Sequence, residues 1–343
     1  MAECLRATSA LIVRDPRCAQ ADNDRFLDMM ESYFAQPKTT KLAHSRPELH
    51  YQVGVTPEGV EMPQSALDEV VRRAWRSSPR AHPRLSVLCF QCACRSALDE
   101  AVKARMAQLP ADSRPHAPSG PDCKWRFMWR VGPRPARTRY QELNASPVVP
   151  EGFPQWAAVM DGWGGKMTAA VEAVAEMLAI GFDLPQDSFT SRMHMGPHLL
   201  APTGSDLGEH GSPGTVLAGY HADLNFLTIH GRLLFIILLV WHVCACVTWQ
   251  MEWLTGGEVP AGMHEVVVDE GTVAAVQRAQ QQGRSLWRVS STVFAHIASD
   301  EILTPIGHFA TSKLTSSFPP KPAGEFVEEE LAAIQLKTTS GGG

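Results

Sequence analysis

The chain has 343 residues, room for one large domain with extensions or two modest ones. Its 31 basic and 36 acidic side chains leave a formal charge of −5, and 44% of residues are hydrophobic. That balance argues against disorder and gives no reason to expect a nucleic acid or an anionic membrane as partner.

Residues 1–15 hold one short apolar patch, Ala10-Leu11-Ile12-Val13, too short for a secretory core and without a cleavage pattern. A reducing, cytoplasmic setting is therefore expected, and the eight Cys are read as thiols. Cys89 and Cys92 have the spacing of half a zinc site, but no second half follows at a usual distance. Residues 23–34 predict an amphipathic helix, with Phe26, Leu27, Met30, Tyr33 and Phe34 on one face and Asp22 or Asn23 as its cap. Residues 52–60 predict a short strand and a turn, and 65–75 another helix. Residues 76–120, punctuated by Pro79, Pro83, Pro110, Pro115 and Pro118, read as an irregular surface insertion. The aromatic run 125–130 predicts a strand. Residues 156–180 predict a long helix with an apolar stripe of Val159, Met167, Ala170, Val174, Met177 and Leu178, stopped by Gly181. Strand-like runs then follow at 189–195, 215–220, 225–229, 233–249, 264–268 and 286–295. That density suggests a sandwich or jelly roll. A helix at 325–336 and a flexible tail close the chain.

The run 233–249 carries no formal charge and lies at the lower edge of a membrane span. His242 and the lack of basic flanks favour buried strands or one core helix, so no membrane partner is expected.

Alternation along a strand puts His221 and Asp223 on one face. His264 heads a later strand-like run. Two His and one carboxylate can hold iron(II) on one face and leave the opposite face open. With 13 His in the chain, a lone His-x-Asp is more often structural, and His230 and His242 compete as ligands. The order of motifs lifts the metal reading: His-x-Asp, a strand-borne His, then Arg288 and Ser290 two apart on a third strand. A guanidinium fork matches a carboxylate in two places, and the hydroxyl adds a third bond.

These motifs resemble the isopenicillin N synthase-like branch of the iron(II)- and 2-oxoglutarate-dependent dioxygenase superfamily. The carriers are Tyr220-His221-Ala222-Asp223-Leu224-Asn225-Phe226-Leu227-Thr228-Ile229-His230-Gly231, Leu254-Thr255-Gly256-Gly257, Ala261-Gly262-Met263-His264-Glu265-Val266 and Trp287-Arg288-Val289-Ser290. The resemblance implies a mainly β fold with flanking helices around a double-stranded β-helix (jelly-roll) core. It implies iron(II) on His221, Asp223 and His264, and 2-oxoglutarate on the metal and on Arg288 and Ser290. It implies dioxygen, an unknown small organic substrate and ascorbate as a helper, in a monomer without nucleic acid. The expected layout is an N-terminal region over 1–75, the insertion over 76–120, the oxygenase core over 121–320 and a C-terminal helix and tail over 321–343.

Isopenicillin N synthase itself uses no 2-oxoglutarate, so an oxidase of that type stays open, as does a catalytically impaired remnant. Two departures from the family bear on this. Many relatives carry a Tyr where this chain has Met195-Gly196-Pro197. The apolar run 233–249 also replaces a longer span, so the core is expected to be shortened between its second and seventh strands. That run and residues 76–94 share Cys-Ala-Cys, at 244–246 and 92–94, and each is expected to be translated intron or a faulty exon junction.

Overall fold

A computed structural model describes residues 1–63, 108, 110, 114–116, 120–231 and 243–337. The helix expected at 65–75, the cysteines at 89–94 and the first part of the apolar run lie outside the described residues. The strands are β1 (Ala10–Val13), β2 (Gly54–Thr56), β3 (Trp125–Arg130), β4 (Leu199–Leu200), β5 (Thr203–Asp206), β6 (Val216–His221) and β7 (Leu227–His230). They continue with β8 (Val243–Val247), β9 (His264–Val267), β10 (Trp287–Ser290), β11 (Thr292–Ala295), β12 (Ile302–Leu303) and β13 (Lys321–Pro322).

Nine strands form one antiparallel sheet in the order β1-β8-β7-β11-β4-β3-β5-β10, with β2 on β3. Strand alternation divides it into two chemically different faces. Trp125, Phe127, Trp129, Leu200, Ile229, Val289 and Val293 are all nearly inaccessible and belong to one apolar core. This face packs on the helices Gln20–Phe34 and Trp156–Gly181. The intervening residues share the opposite face through the pairs Arg126↔Thr203, Thr203↔Ser290, Ser205↔Arg288 and Thr292↔His230. That face is polar, and the short antiparallel pair β6–β9 provides the second layer over it. The result is a mainly antiparallel jelly roll with flanking helices; among the described residues its second sheet has two strands.

The helix Gln20–Phe34 buries Phe26, Leu27, Met30, Tyr33 and Phe34 as its spacing requires, but it starts earlier than expected. Asp22 lies inside its first turn, where its carboxylate meets Lys166 Nζ at 2.5 Å rather than capping the helix. The long helix is Trp156–Gly181, and Met177, assigned to its apolar stripe, is 46% exposed.

Two expectations are corrected. Residues 189–195 hold a helical turn, Thr190–Met193, and the chain leaves it with Met195 at a φ of 62°. The run 286–295 is two strands, because the chain crosses at Ser291 from a partner in β5 to partners in β4 and β7. The described part of the apolar run is a strand, as one of the two expectations for it had it, and a helix follows. Val243–Val247 is a strand laddered between β7 and β1, and Trp249–Leu254 is a helix. The second Cys-Ala-Cys is therefore integrated in the sheet, with Cys246 opposite both Ala10 and Thr228. The apolar patch at 10–13 is the strand that completes this edge. No helix among the described residues is long and apolar enough to cross a membrane.

Candidate metal centre

The pairing of β6 with β9 sets His221 directly opposite His264, with ring centroids 4.4 Å apart. Asp223 lies just past the end of β6, in a turn held by three backbone contacts. Trp249 N donates to Asp223 O at 3.0 Å, Gln250 N donates to Asn225 O at 3.0 Å, and Phe226 N donates to Ala295 O at 2.8 Å. The helix that follows the apolar run thus anchors the turn that bears the carboxylate.

One ligand atom each from His221, Asp223 and His264 lies within 4.8 Å of the other two. His221 Nε2 is 3.5 Å from Asp223 Oδ1, and His264 Nε2 is 3.9 Å from Asp223 Oδ2. The far nitrogens are engaged with carbonyls two residues back. His221 Nδ1 is 2.6 Å from Gly219 O, and His264 Nδ1 is 3.3 Å from Gly262 O. A carbonyl only accepts, so each Nδ1 carries the proton and each Nε2 presents a lone pair to the centre. Burial, reinforced by His221, pushes His264 down to about 4, which keeps its imidazole neutral as a ligand must be. Burial raises the Asp223 carboxyl, but the imidazoles of His264 and His221 outweigh that and hold it below its ordinary value.

Thr228 Oγ1 donates to Asp223 Oδ2 at 2.7 Å, which orients the carboxylate from the sheet side. Sequence reasoning did not single out this threonine. Its place in the alternation after the His-x-Asp, on the face of His230, was the available signal. Of the competing histidines, His230 sits behind the group: its ring is 6.0 Å from that of His264 and its Nδ1 is 3.2 Å from Thr292 Oγ1. His242 lies outside the described residues.

Arg288 and Ser290 occupy the polar face of β10. Burial lowers the Arg288 guanidinium to about 10, and its side chain has no hydrogen-bond or ion-pair partner among the described residues. Its charge reaches His230, the neighbour of His264. A half-buried cation with no partner among the described residues, beside a candidate metal-ligand group, fits an anionic ligand. A cavity opens next to His221 and Asp223, lined by Arg126, Met128, Leu199, Phe294 and His296 from the sheet and by Leu331 and Ile334 near the C-terminus.

No protein-family profile matches the chain, and no curated protein matches it in sequence. Several solved structures share its architecture. One described as a 2OG-Fe(II) oxygenase family protein from Caulobacter crescentus is 18% identical, with a TM-score of 0.64 over 97% of this chain and 92% of that one. A full-length Neurospora crassa protein, solved in complex with alpha-KG, is 13% identical, with a TM-score of 0.63 over 96% and 90% of the two chains. JOX2, solved with 2OG, Fe and JA, is 14% identical, with a TM-score of 0.56 over 97% and 80%. At such identities the likeness establishes the fold.

Proposed function

We propose that this chain is a non-haem iron(II) oxygenase that couples oxidative decarboxylation of 2-oxoglutarate to oxidation of a small organic substrate. The observation that carries the reading is the convergence of His221, Asp223 and His264 within 4.8 Å, with both imidazoles presenting Nε2. Two nitrogens and one carboxylate oxygen on one side are the donor set suited to iron(II) with open positions. When bound, the metal and 2-oxoglutarate supply the activation of dioxygen.

The chain's own residues do the rest. The cross-strand pair and the Gly219 and Gly262 carbonyls fix the two ligand rings. Thr228 fixes the carboxylate. Arg288 would take the distal carboxylate of 2-oxoglutarate in a charge-assisted pair, with Ser290 adding a hydroxyl from the same face. Met128, Leu199 and Phe294 supply an apolar wall that excludes water from the substrate side. Neighbours solved with alpha-KG or 2OG favour this reading over an oxidase that dispenses with it. The reading also takes the enzyme as a cytoplasmic monomer, and light scattering checks the second point.

Succinate release tests the activity. The full chain is incubated with iron(II), ascorbate and 2-oxoglutarate, and the same assay is run on His221→Ala. Succinate above the variant's level is the expected result. No difference between the two overturns the reading.

A further inference from the structure

Behind the corner formed by His221 and Asp223 lies a buried row of four alternating charges. Asp122, Lys124, Glu61 and Arg126 are 4%, 6%, 8% and 8% exposed. Lys124 Nζ bonds the Asp122 carboxylate and lies 3.2 Å from Glu61 Oε1, while Glu61 Oε2 takes the Arg126 guanidinium. Two bases balance two acids, so the row is electrically closed. Burying four charges costs desolvation that apolar side chains of similar size would not incur, so stability alone gives a weak account of it.

Both ends of the row reach the candidate centre. At one end, Asp122 Oδ1 accepts the backbone N–H of Gly219 at 2.9 Å, and the carbonyl of that same residue accepts His221 Nδ1–H at 2.6 Å. At the other end, Arg126 lines the cavity beside Asp223 and feels its charge. The β6–β9 ladder is irregular here: the register shifts between Val216 and Ala218 and again between Ala218 and His221. The stretch that carries His221 is therefore not held by regular strand pairing, and the Asp122 carboxylate takes the place of a ladder partner. Gly219 leaves no slack in this packing, since a Cβ there would lie 2.6 Å from Pro63 Cβ, next to the segment that bears Glu61.

We propose that Asp122 is a positioning residue for the metal centre: through Gly219 it fixes the His221 imidazole, and the row Lys124–Glu61–Arg126 holds Asp122 in place. This rests on the metal-centre reading above. The role is one of orientation at a distance, where loss of an outer partner lowers metal affinity about 10–100-fold.

The test titrates Co(II) into the full chain and records both affinity and the visible spectrum of the bound ion, which reports ligand geometry. Asp122→Leu combined with Lys124→Met removes the acceptor without leaving a lone buried lysine. The expected result is an affinity lowered about tenfold or more with an altered spectrum. Asp122→Asn, whose amide carbonyl still accepts from Gly219, keeps affinity within about threefold of the wild type, because the bond rather than the charge carries the effect. If the double variant does not fold, Asp122→Ser, whose hydroxyl is one atom shorter and falls short of Gly219 N, is judged by the same two readings. His221→Ala serves as the reference. Wild-type Co(II) binding in the folded double variant or in Asp122→Ser, with binding lost in His221→Ala, overturns the positioning role alone, as does a loss of about tenfold in Asp122→Asn. Wild-type binding in His221→Ala as well overturns the metal centre and the role together.

Discussion

The nine-stranded sheet and the β6–β9 pair do different jobs with different degrees of support. The sheet presses one face on two helices, and Phe127, Ile229, Val289 and Val293 on that face are fully inaccessible. The pair has two strands, two register shifts and half-buried residues along all of β9. Yet both histidines of the candidate centre sit on the pair, while Arg288, Ser290 and Thr228 sit on the sheet. The difference teaches that the candidate metal ligands sit at the less supported layer and are steadied by single contacts reaching them from the firmer one. Metal binding, cosubstrate binding and global stability should therefore respond to different substitutions.

The largest expected effect is on the layer that holds the metal. Asp223→Ala leaves two imidazoles and no carboxylate, and stoichiometric iron binding and succinate release should both vanish. Retention of one equivalent of iron by the purified variant would break the division of labour between the layers. The next effect belongs to the sheet. Phe127→Ala empties a site at 0% exposure and should cost about 3–5 kcal/mol in urea unfolding. Val266→Ala, on the half-buried pair, should cost only about 1 kcal/mol. Equal costs would mean that the pair is as well packed as the sheet.

Arg288→Met addresses the cosubstrate arm separately. Losing a charge-assisted bond to a carboxylate should weaken 2-oxoglutarate binding by about 1.5–3 kcal/mol, roughly ten- to hundredfold, with metal affinity unchanged. Calorimetric titration of 2-oxoglutarate into the metal-loaded protein measures it. A parallel fall in metal affinity would show that the two layers are not separable. Thr228→Val is smaller still: it removes the hydroxyl on Asp223 Oδ2 and should lower metal affinity about tenfold, with little change in unfolding midpoint.

Much of this arrangement was legible in the sequence, and the remainder was hidden for identifiable reasons. The strand at 125–130, the helix from Trp156 and the strands bearing His221, His264 and Arg288 follow from alternation, helical spacing and motif order. The helix Glu270–Gln281 was missed although Asp269 caps it through Thr272 N at 2.7 Å, because its glutamines and alanines give a weak apolar stripe. The 189–195 stretch differs from its expectation because Phe189, Met193 and Met195 alternate as in a strand, and seven residues are too few to separate that pattern from one helical turn. Asp122 was overlooked for a different reason. Asp122 acts on Gly219, 97 residues away, and no local pattern encodes a contact at that separation. The place of residues 243–247 was hidden because their partners, β1 and β7, lie far from them in sequence or just before them.

Acid offers the mildest and most general probe of the two layers. Burial pushes His198 and His296, beside β4 and β11 of the sheet, down to about 3 from an ordinary value of 6.5. On the pair, burial and then His221 push His264 to about 4. In each case the folded state resists a proton that the unfolded chain accepts. As pH falls below about 6.5 the unfolded state therefore binds more protons, and stability declines with falling pH. The decline continues until the folded groups titrate, near pH 4 for His264 and near pH 3 for His198 and His296. Asp223, held below its ordinary 3.8, adds to the same trend only at the acid end of this window. Urea midpoints at pH 7, 6 and 5 should fall in that order for the metal-free protein. His198→Asn, which offers an oxygen to the N–H of His296 in place of Nδ1, should flatten the slope without moving metal affinity. A midpoint independent of pH over this range would break the argument for all three histidines, and a slope unchanged by His198→Asn would leave the acid sensitivity to His296 and to the pair.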